Sequence, residues 1–464
     1  MDFIFLHPFV RSTAIDKCNG TIIGSALGDV VGLYTEFLPA TECDRSYPDG
    51  RFSLHPPTPF REDSHRDKFE LGSWTDDTDQ ALLILLAFLD CKGDPTFVPF
   101  EFAQRLKIWV RQGLRALDRL PLGIGQTVGR VALDPEFGSS DKLYAVALRQ
   151  WKIAPKDRKP AANGSLMRTH PVGIMCVGKS EDEAFETATD IGRTTHVDPR
   201  CVVSCCVLVA LVRGIVRGEV LVEQDIDAAL HRAWRWVDER ETLNDPRKDP
   251  TVQVEGEAKR HAEASSWWLR EEFDRHTHAD SFTALELDDS QKMGYVYKAL
   301  GSAILSLRFA MRGELTTNSA PEDARSGGNG FEAIISSLVM HGGDADTNAC
   351  IAGALLGAWF GYAALPENWR TGLVHGNWLL RKSMNLAGCV GIAPVTEGWV
   401  PNEADTARDG GRGQISQAEV DNLERALIER MLLKAQARRE AERLREKGNK
   451  GEGAGKWFRG LNMR

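Results

Sequence analysis

The chain has 464 residues, is 42% hydrophobic and carries a formal net charge of −9, so it can bury a large core and has no global positive field for nucleic acid or an anionic membrane. Any phosphate it binds must be met by a local site. Nine cysteines, with no C-x-x-C pair and with Cys205 and Cys206 adjacent in an apolar stretch, read as small core residues and not as a disulfide framework.

Apolar residues recur at helical spacing over Ile22–Phe37, Gln80–Leu89, Phe100–Leu117, Arg200–Arg217, Tyr295–Met311, Phe331–Val339 and Ala349–Ala364, and alternating strand patterns are scarce. The expected fold is all-α, a compact single-domain helical bundle over residues 15–391 with its polar motifs on loops between helices. Apolar runs such as Val202–Val212 fall short of the roughly 20 residues of a bilayer span. Phe3–Leu6 lacks the basic flank and cleavage site of a signal peptide, so an intracellular location, cytoplasmic or nuclear, is expected.

In the first helix Gly24, Gly28 and Gly32 recur every fourth residue, a face that permits close helix approach. Asp29 and Glu36 fall on roughly one face of a helix running to Phe37, where both reach a common cleft or Glu36 faces solvent. Residues 41–72, rich in Pro and charge, read as an insertion. Ser73-Trp74-Thr75-Asp76-Asp77-Thr78-Asp79 then opens a helix, and by itself this run is what capping and the helix dipole ask for.

Asn163, Gly164, Ser165, Leu166 and Met167 form a loop whose backbone N–H groups suit a pyrophosphate, or an ordinary Asn-Gly turn. His196, just before an apolar helix, is a donor to phosphate or to a reacting water, or a plain polar residue at a helix start. Residues 238–289 and 313–330 read as further insertions at the rim of the site. Gly342-Gly343-Asp344-Ala345-Asp346-Thr347-Asn348 repeats the acidic helix start, and its glycine pair lets the backbone turn sharply. Residues 392–464 read as an extension. In it Ser416 and Glu419 have capping-box spacing, Val420, Leu423, Leu427, Ile428 and Met431 mark a helix over about 417–446, and a basic, flexible end follows.

If the two acidic helix starts meet, Asp76, Asp77, Asp344 and Asp346 supply four negative charges and Thr75 and Thr347 supply neutral oxygens, a set that balances two divalent cations. Oxygen ligands without a Cys or His cluster select Mg²⁺ or Mn²⁺ over Zn²⁺.

Taken in order, Gly20–Phe37, Trp74–Leu85, Leu122–Leu133 with its Gly123-x-Gly125 turn, Asn163–Gly173, Thr195–Leu211, Gly294–Phe309 and Gly342–Trp369 resemble the ADP-ribosylglycohydrolase family, which includes ADP-ribosyl-acceptor hydrolases and the glycohydrolases that reactivate nitrogenase reductase. The resemblance implies a helical fold with a binuclear metal cleft, in which Thr75, Asp76, Asp77, Asp344, Asp346 and Thr347 are the ligands. It implies that Glu36 is the carboxylate at the distal ribose, acting with Asp77 and Asp346, and that the Asn163–Met167 loop and His196 face the diphosphate and ribose. The implied reaction is metal-dependent hydrolysis of the bond between ADP-ribose and an acceptor. The implied partner is an ADP-ribosylated protein or a small ADP-ribose compound; no membrane is involved, and nucleic acid enters only as a modified substrate. Two other readings stay open: a two-metal hydrolase of a free derivative such as ADP-ribose-1″-phosphate, and a non-catalytic ADP-ribose-binding relative.

Overall fold

The structure is a computed structural model. It describes residues 7–139, 143–155, 160–255, 268–314, 330–394 and 403–459, without the side chains of 441–459. The fold is all-α: no β-strand occurs among the described residues, only the isolated bridges Leu54–Pro57, Leu114–Arg119 and Ala162–Tyr295. The chain forms two compact units, Met1–Thr58 with Gly72–Gln414, and Pro59–Leu71 with Ile415–Arg464. The expected insertion 41–72 is therefore divided: Pro59–Leu71 leaves the helical body and joins the C-terminal helix. Most of the 313–330 insertion and part of 238–289 lie outside the described residues.

Among the helices of the first unit are α1 (Pro8–Gly32), α2 (Asp76–Asp90), α3 (Val98–Gln112), α4 (Glu181–Arg193), α5 (Pro199–Arg217), α6 (Val296–Arg312), α7 (Gly330–Val339), α8 (Ala345–Phe360) and α9 (Gly376–Cys389). α5 is long and apolar enough to cross a membrane, although Val202–Val212 alone is not, yet 94% of its apolar window is buried inside the protein. All nine cysteines are free, and Cys201, Cys205 and Cys206 lie buried on this helix.

α1 and α8 run antiparallel at close range, and glycine makes this possible. A Cβ on Gly20 would lie 2.1 Å from the Gly357 carbonyl oxygen, one on Gly24 2.5 Å from that of Gly353, one on Gly28 1.9 Å from that of Ala349, and one on Gly32 2.3 Å from Asp346 Cα. Real side chains do not fit at such distances, so the ladder fixes both spacing and register. It sets the last turn of α1 beside the first turn of α8, where the acidic residues are.

α1 stops at Gly32, five residues before the expected end. Leu33 closes the helix on the Asp29 and Val31 carbonyls, the Thr35 hydroxyl donates to the Val339 carbonyl at 2.6 Å, and Phe37 takes the left-handed region with φ 60°. Phe37 N–H donates to the Gly343 carbonyl (2.6 Å) and Gly343 N–H to the Leu38 carbonyl (2.9 Å). Gly342 and Gly343 both have positive φ, and a Cβ on either would strike a backbone oxygen at 2.0 Å. The turn after α1 and the turn before α8 are thus stitched together.

In the second unit α10 (Gln417–Arg459) opens with the expected capping box, Ser416 and Glu419 each satisfying the other's backbone N–H at 2.8 and 3.3 Å. The helix continues to Arg459, past the expected end near 446. Arg438 grips Asp67 with two bonds of 2.6 and 2.5 Å, and Arg430 pairs with Glu70 at 3.0 Å.

Candidate functional site

The acidic run that opens α2 divides its labour. Asp79 is tied into the core by Trp74 Nε1 (2.8 Å), Trp109 Nε1 (3.1 Å) and Arg119 (3.4 Å). Asp76 and Asp77 face the other way. Asp76 Oδ2 accepts from Gln80 Nε2 at 3.0 Å, and the exposed 123–126 turn lies over it, since a Cβ on Gly123 would be 2.5 Å from Asp76 Oδ1. Thr75 is the N-cap of α2, its hydroxyl accepting from Asp77 N–H at 3.4 Å and donating to Asp77 Oδ2 at 3.3 Å.

Across from this helix start stand Glu36, Asp344 and Asp346, each offering an oxygen within 4.8 Å of the other two. Glu36 and Asp346 are buried and Asp344 is half-buried. Asn163 Nδ2 donates to Asp344 Oδ2 at 2.7 Å, and Asp346 Oδ1 accepts the Thr347 N–H at 2.9 Å.

Burial pushes the carboxyls of Asp76, Asp77 and Asp346 well above the usual carboxylate range, and mutual repulsion adds to it: Glu36 is the strongest neighbour of Asp76 and of Asp346, and Asp29 that of Asp77. Burial also raises Asp344, against the opposing bond from Asn163. Each of these carboxylates therefore feels the charges of the opposite helix start. None of Asp76, Asp77, Asp344 and Asp346 has an ion-pair partner among the described residues, and Asp77 Oδ1 is buried with no hydrogen-bond partner. Repelling oxygen donors without ion-pair partners and with an orphaned buried atom fit a hard divalent cation, and among the described residues no cysteine or histidine belongs to the Glu36, Asp344 and Asp346 group.

Asp29 is wholly buried: its charge acts on Asp76, Asp77 and Asp346, but both of its oxygens are taken up by the start of α2. Its Oδ1 accepts the Thr75 N–H (2.9 Å) and its Oδ2 accepts both N–H (3.0 Å) and O–H (2.6 Å) of Thr78. It caps α2 from another helix, with its carboxyl raised by burial to about 6.

On the far side, Asn163–Ser165 forms a single 3-10 turn held to the segment before α6 by Asn163 N–H to the Gly294 carbonyl at 3.0 Å. The side chains of Ser165, Leu166 and Met167 are buried in the core, and Met167 lies against α8, its carbonyl accepting from Cys350 Sγ at 3.6 Å. What this loop presents is Asn163 and the backbone at Gly164. His196 is buried beside Gly164, where a Cβ would be 3.3 Å from its Nε2, and that nitrogen has no partner among the described residues. Burial, and then Arg168, hold the imidazole well below its usual pKa and so neutral.

Two further residues, Gln80 and Thr78, contribute to the site. Gln80 stands four residues after Asp76, the spacing at which a glutamine reaches an aspartate on a helix, so a local signal existed. Thr78 as the partner of Asp29 left none, because the bond crosses from one helix to another.

Residues 11–397 match the ADP-ribosylglycohydrolase family. The chain belongs to that family. An "ADP-ribosylarginine hydrolase Tri1" of Pseudomonas putida (strain GB-1) is 26% identical over 360 residues, 77% of this chain and 74% of the relative. Another of that name, of Serratia proteamaculans (strain 568), is 23% identical over 369 residues, 79% and 77% of the two chains. A solved chain described as an "ADP-ribosylglycohydrolase-related protein complex" aligns with a TM-score of 0.52 and 21% identity over 82% of this chain and 99% of its own, which shows a shared fold.

Proposed function

We propose that this ADP-ribosylglycohydrolase hydrolyses the glycosidic bond between ADP-ribose and an acceptor, and that the acceptor is the guanidinium of an arginine side chain. The observation that carries the reading is the convergence of Glu36, Asp344 and Asp346 within 4.8 Å opposite the unpaired Asp76 and Asp77. The similarity to two proteins named ADP-ribosylarginine hydrolases supports the choice of acceptor.

In this reading Thr75, Asp76, Asp77, Asp344, Asp346 and Thr347 hold two divalent cations, Mg²⁺ or Mn²⁺. Bound metal would supply positive charge and Lewis-acid chemistry at this end of the cleft. The chain supplies the rest. The Asn163–Gly164 turn and neutral His196 place donors for the diphosphate and ribose, which fixes the position of the anomeric carbon. As the bond to the acceptor lengthens, positive charge develops on the ribose ring, and the Glu36 carboxylate opposes it while moving a proton between attacking water and departing nitrogen. The enzyme acts inside the cell, where its substrate is an ADP-ribosylated protein.

The test is release of ADP-ribose by purified protein from arginine- and serine-linked ADP-ribosyl peptides and from ADP-ribose-1″-phosphate, in Mg²⁺, Mn²⁺ or EDTA. Metal-dependent release from the arginine-linked peptide is expected. Release only from another substrate removes the arginine acceptor, and turnover that survives EDTA removes the metal.

A further inference from the structure

Arg168 is wholly buried, yet no carboxylate pairs with it among the described residues. Its Nη1 donates to Gln80 Oε1 at 2.8 Å, its Nη2 to Thr195 Oγ1 at 2.6 Å, its Cζ lies 4.6 Å from the centre of the Phe102 ring, and its Nε has no partner among the described residues. An unpaired guanidinium in a dry interior is costly, so its two neutral partners call for an explanation. Each leads on to the site.

Gln80 is a relay with a fixed sense. Arginine can only donate, so Gln80 turns its oxygen to Arg168, and its amide nitrogen is left facing Asp76 Oδ2 at 3.0 Å. Thr195 is the second relay. Its oxygen accepts from Arg168 and lies 2.7 Å from His196 Nδ1. A threonine hydroxyl has one proton, and no other acceptor takes it among the described residues. The arrangement that pairs both the Thr195 proton and Nδ1 has Thr195 O–H donating to Nδ1, which leaves the proton of the neutral imidazole on Nε2, where no described residue accepts it. That nitrogen is the one beside Gly164.

We propose that Arg168 is a positioning residue that ties the acidic motif to the His196 loop: through Thr195 it fixes His196 as the neutral tautomer with Nε2–H presented beside Gly164, and through Gln80 it turns an amide N–H₂ onto Asp76. One buried cation thereby orients a donor on one wall of the site and a carboxylate on the other. Its consequence for ligands rests on the function proposed above; the tautomer itself rests on the bonding alone.

The test uses full-length protein labelled with ¹⁵N-histidine, the His196 signals being assigned by comparison with His196→Gln. Wild-type ring shifts should report neutral Nε2–H. Thr195→Val, which keeps the shape and deletes the hydroxyl, should move His196 toward Nδ1–H, and Thr195→Ser should restore the wild-type tautomer. In calorimetry Thr195→Val should weaken ADP-ribose binding about tenfold and leave Mn²⁺ binding unchanged. Gln80→Met should do the reverse, weakening Mn²⁺ binding about 10- to 100-fold with the tautomer intact. Arg168→Lys, whose single ammonium cannot span both relays, should break at least one arm. A wild-type His196 protonated on Nδ1, or a tautomer unmoved by Thr195→Val, overturns the histidine arm; unaltered Mn²⁺ binding in Gln80→Met overturns the aspartate arm. A wild-type protein that binds neither ADP-ribose nor Mn²⁺ defeats the functional reading, while the tautomer result still decides the role of Arg168.

Discussion

Asp29 of α1 holds the start of α2 by accepting both the backbone N–H and the hydroxyl of Thr78 on one carboxylate oxygen, at 3.0 and 2.6 Å. With Thr75 N–H on its other oxygen, it satisfies two of the backbone donors that an α-helix leaves open at its start. Asp29→Ala should therefore strand three buried donors and destabilise the protein by about 3 kcal/mol or more. Urea unfolding of the EDTA-treated protein measures this. Unchanged stability would mean that water or another group caps α2 equally well.

The glycine ladder makes a remote position decisive for the site. Gly28→Ala would place a methyl 1.9 Å from the Ala349 carbonyl oxygen, so α1 and α8 must separate, at a cost of about 3 kcal/mol. Gly125→Ala is the control, since nothing lies within 4 Å of its Cβ and its φ of −63° suits alanine. The first variant should lower the melting temperature and weaken metal binding although it touches no proposed ligand, and the second should do neither. Equal behaviour of the two would show that the helices are not held apart by backbone contact.

Most of this architecture can be read in the sequence, and the reasons are local. Gly24, Gly28 and Gly32 announce a close helix contact because their period matches the helix, and Asp76–Asp77 and Asp344–Asp346 announce helix starts because acids and hydroxyls belong there. What cannot be read is what crosses space. The partner ladder of Gly353 and Gly357 sits in a helix so apolar that small residues look like ordinary core. The early end of α1 depends on Thr35 finding the Val339 carbonyl and Phe37 finding Gly343, and neither contact has a signal within its own segment. The same holds for Pro59–Leu71, whose grouping with α10 depends on Arg430 and Arg438 some 360 positions later.

Asp77→Asn and Asp346→Asn should act in the opposite direction to Asp29→Ala on the metal-free protein. Both carboxyls are driven up by burial and by like charges, so neutralising either relieves repulsion. The melting temperature in EDTA should rise, circular dichroism should stay helical, and metal-dependent turnover should fall by a factor of about 100 or more. Retained turnover in either variant would remove that residue from the ligand set.

Glu36→Gln separates binding from chemistry. The amide keeps the size of the side chain and can still hydrogen-bond, but it has neither the charge that opposes a developing cation nor a proton to exchange. Turnover should fall by about 100- to 10,000-fold, the range of general acid–base catalysis, with ADP-ribose binding by calorimetry largely kept. Full activity would shift the proton transfer to another group, and His196, whose Nε2 has no partner among the described residues, is the next to test.

Protons and metal compete for the same carboxylates. Asp29 rises from 3.8 to about 6 on folding, and Asp76, Asp77, Asp344 and Asp346 are also raised. A carboxyl raised in the folded state binds its proton more tightly there than in the unfolded chain, so its favourable contribution is complete below the unfolded value and is lost as pH climbs through the folded one. Carboxyls lowered on folding, such as Glu223 and Asp225, act oppositely, but below the ordinary carboxylate range. In EDTA, stability should therefore decline as pH rises from about 4 through about 6 and beyond. A divalent cation that binds the same deprotonated oxygens should reverse the trend, with Mg²⁺ or Mn²⁺ raising the melting temperature more at pH 8 than at pH 5, because protons compete for the site at the lower pH. Thermal melts across that range, with metal and with EDTA, measure both slopes. A metal effect independent of pH would place the cation away from these carboxylates.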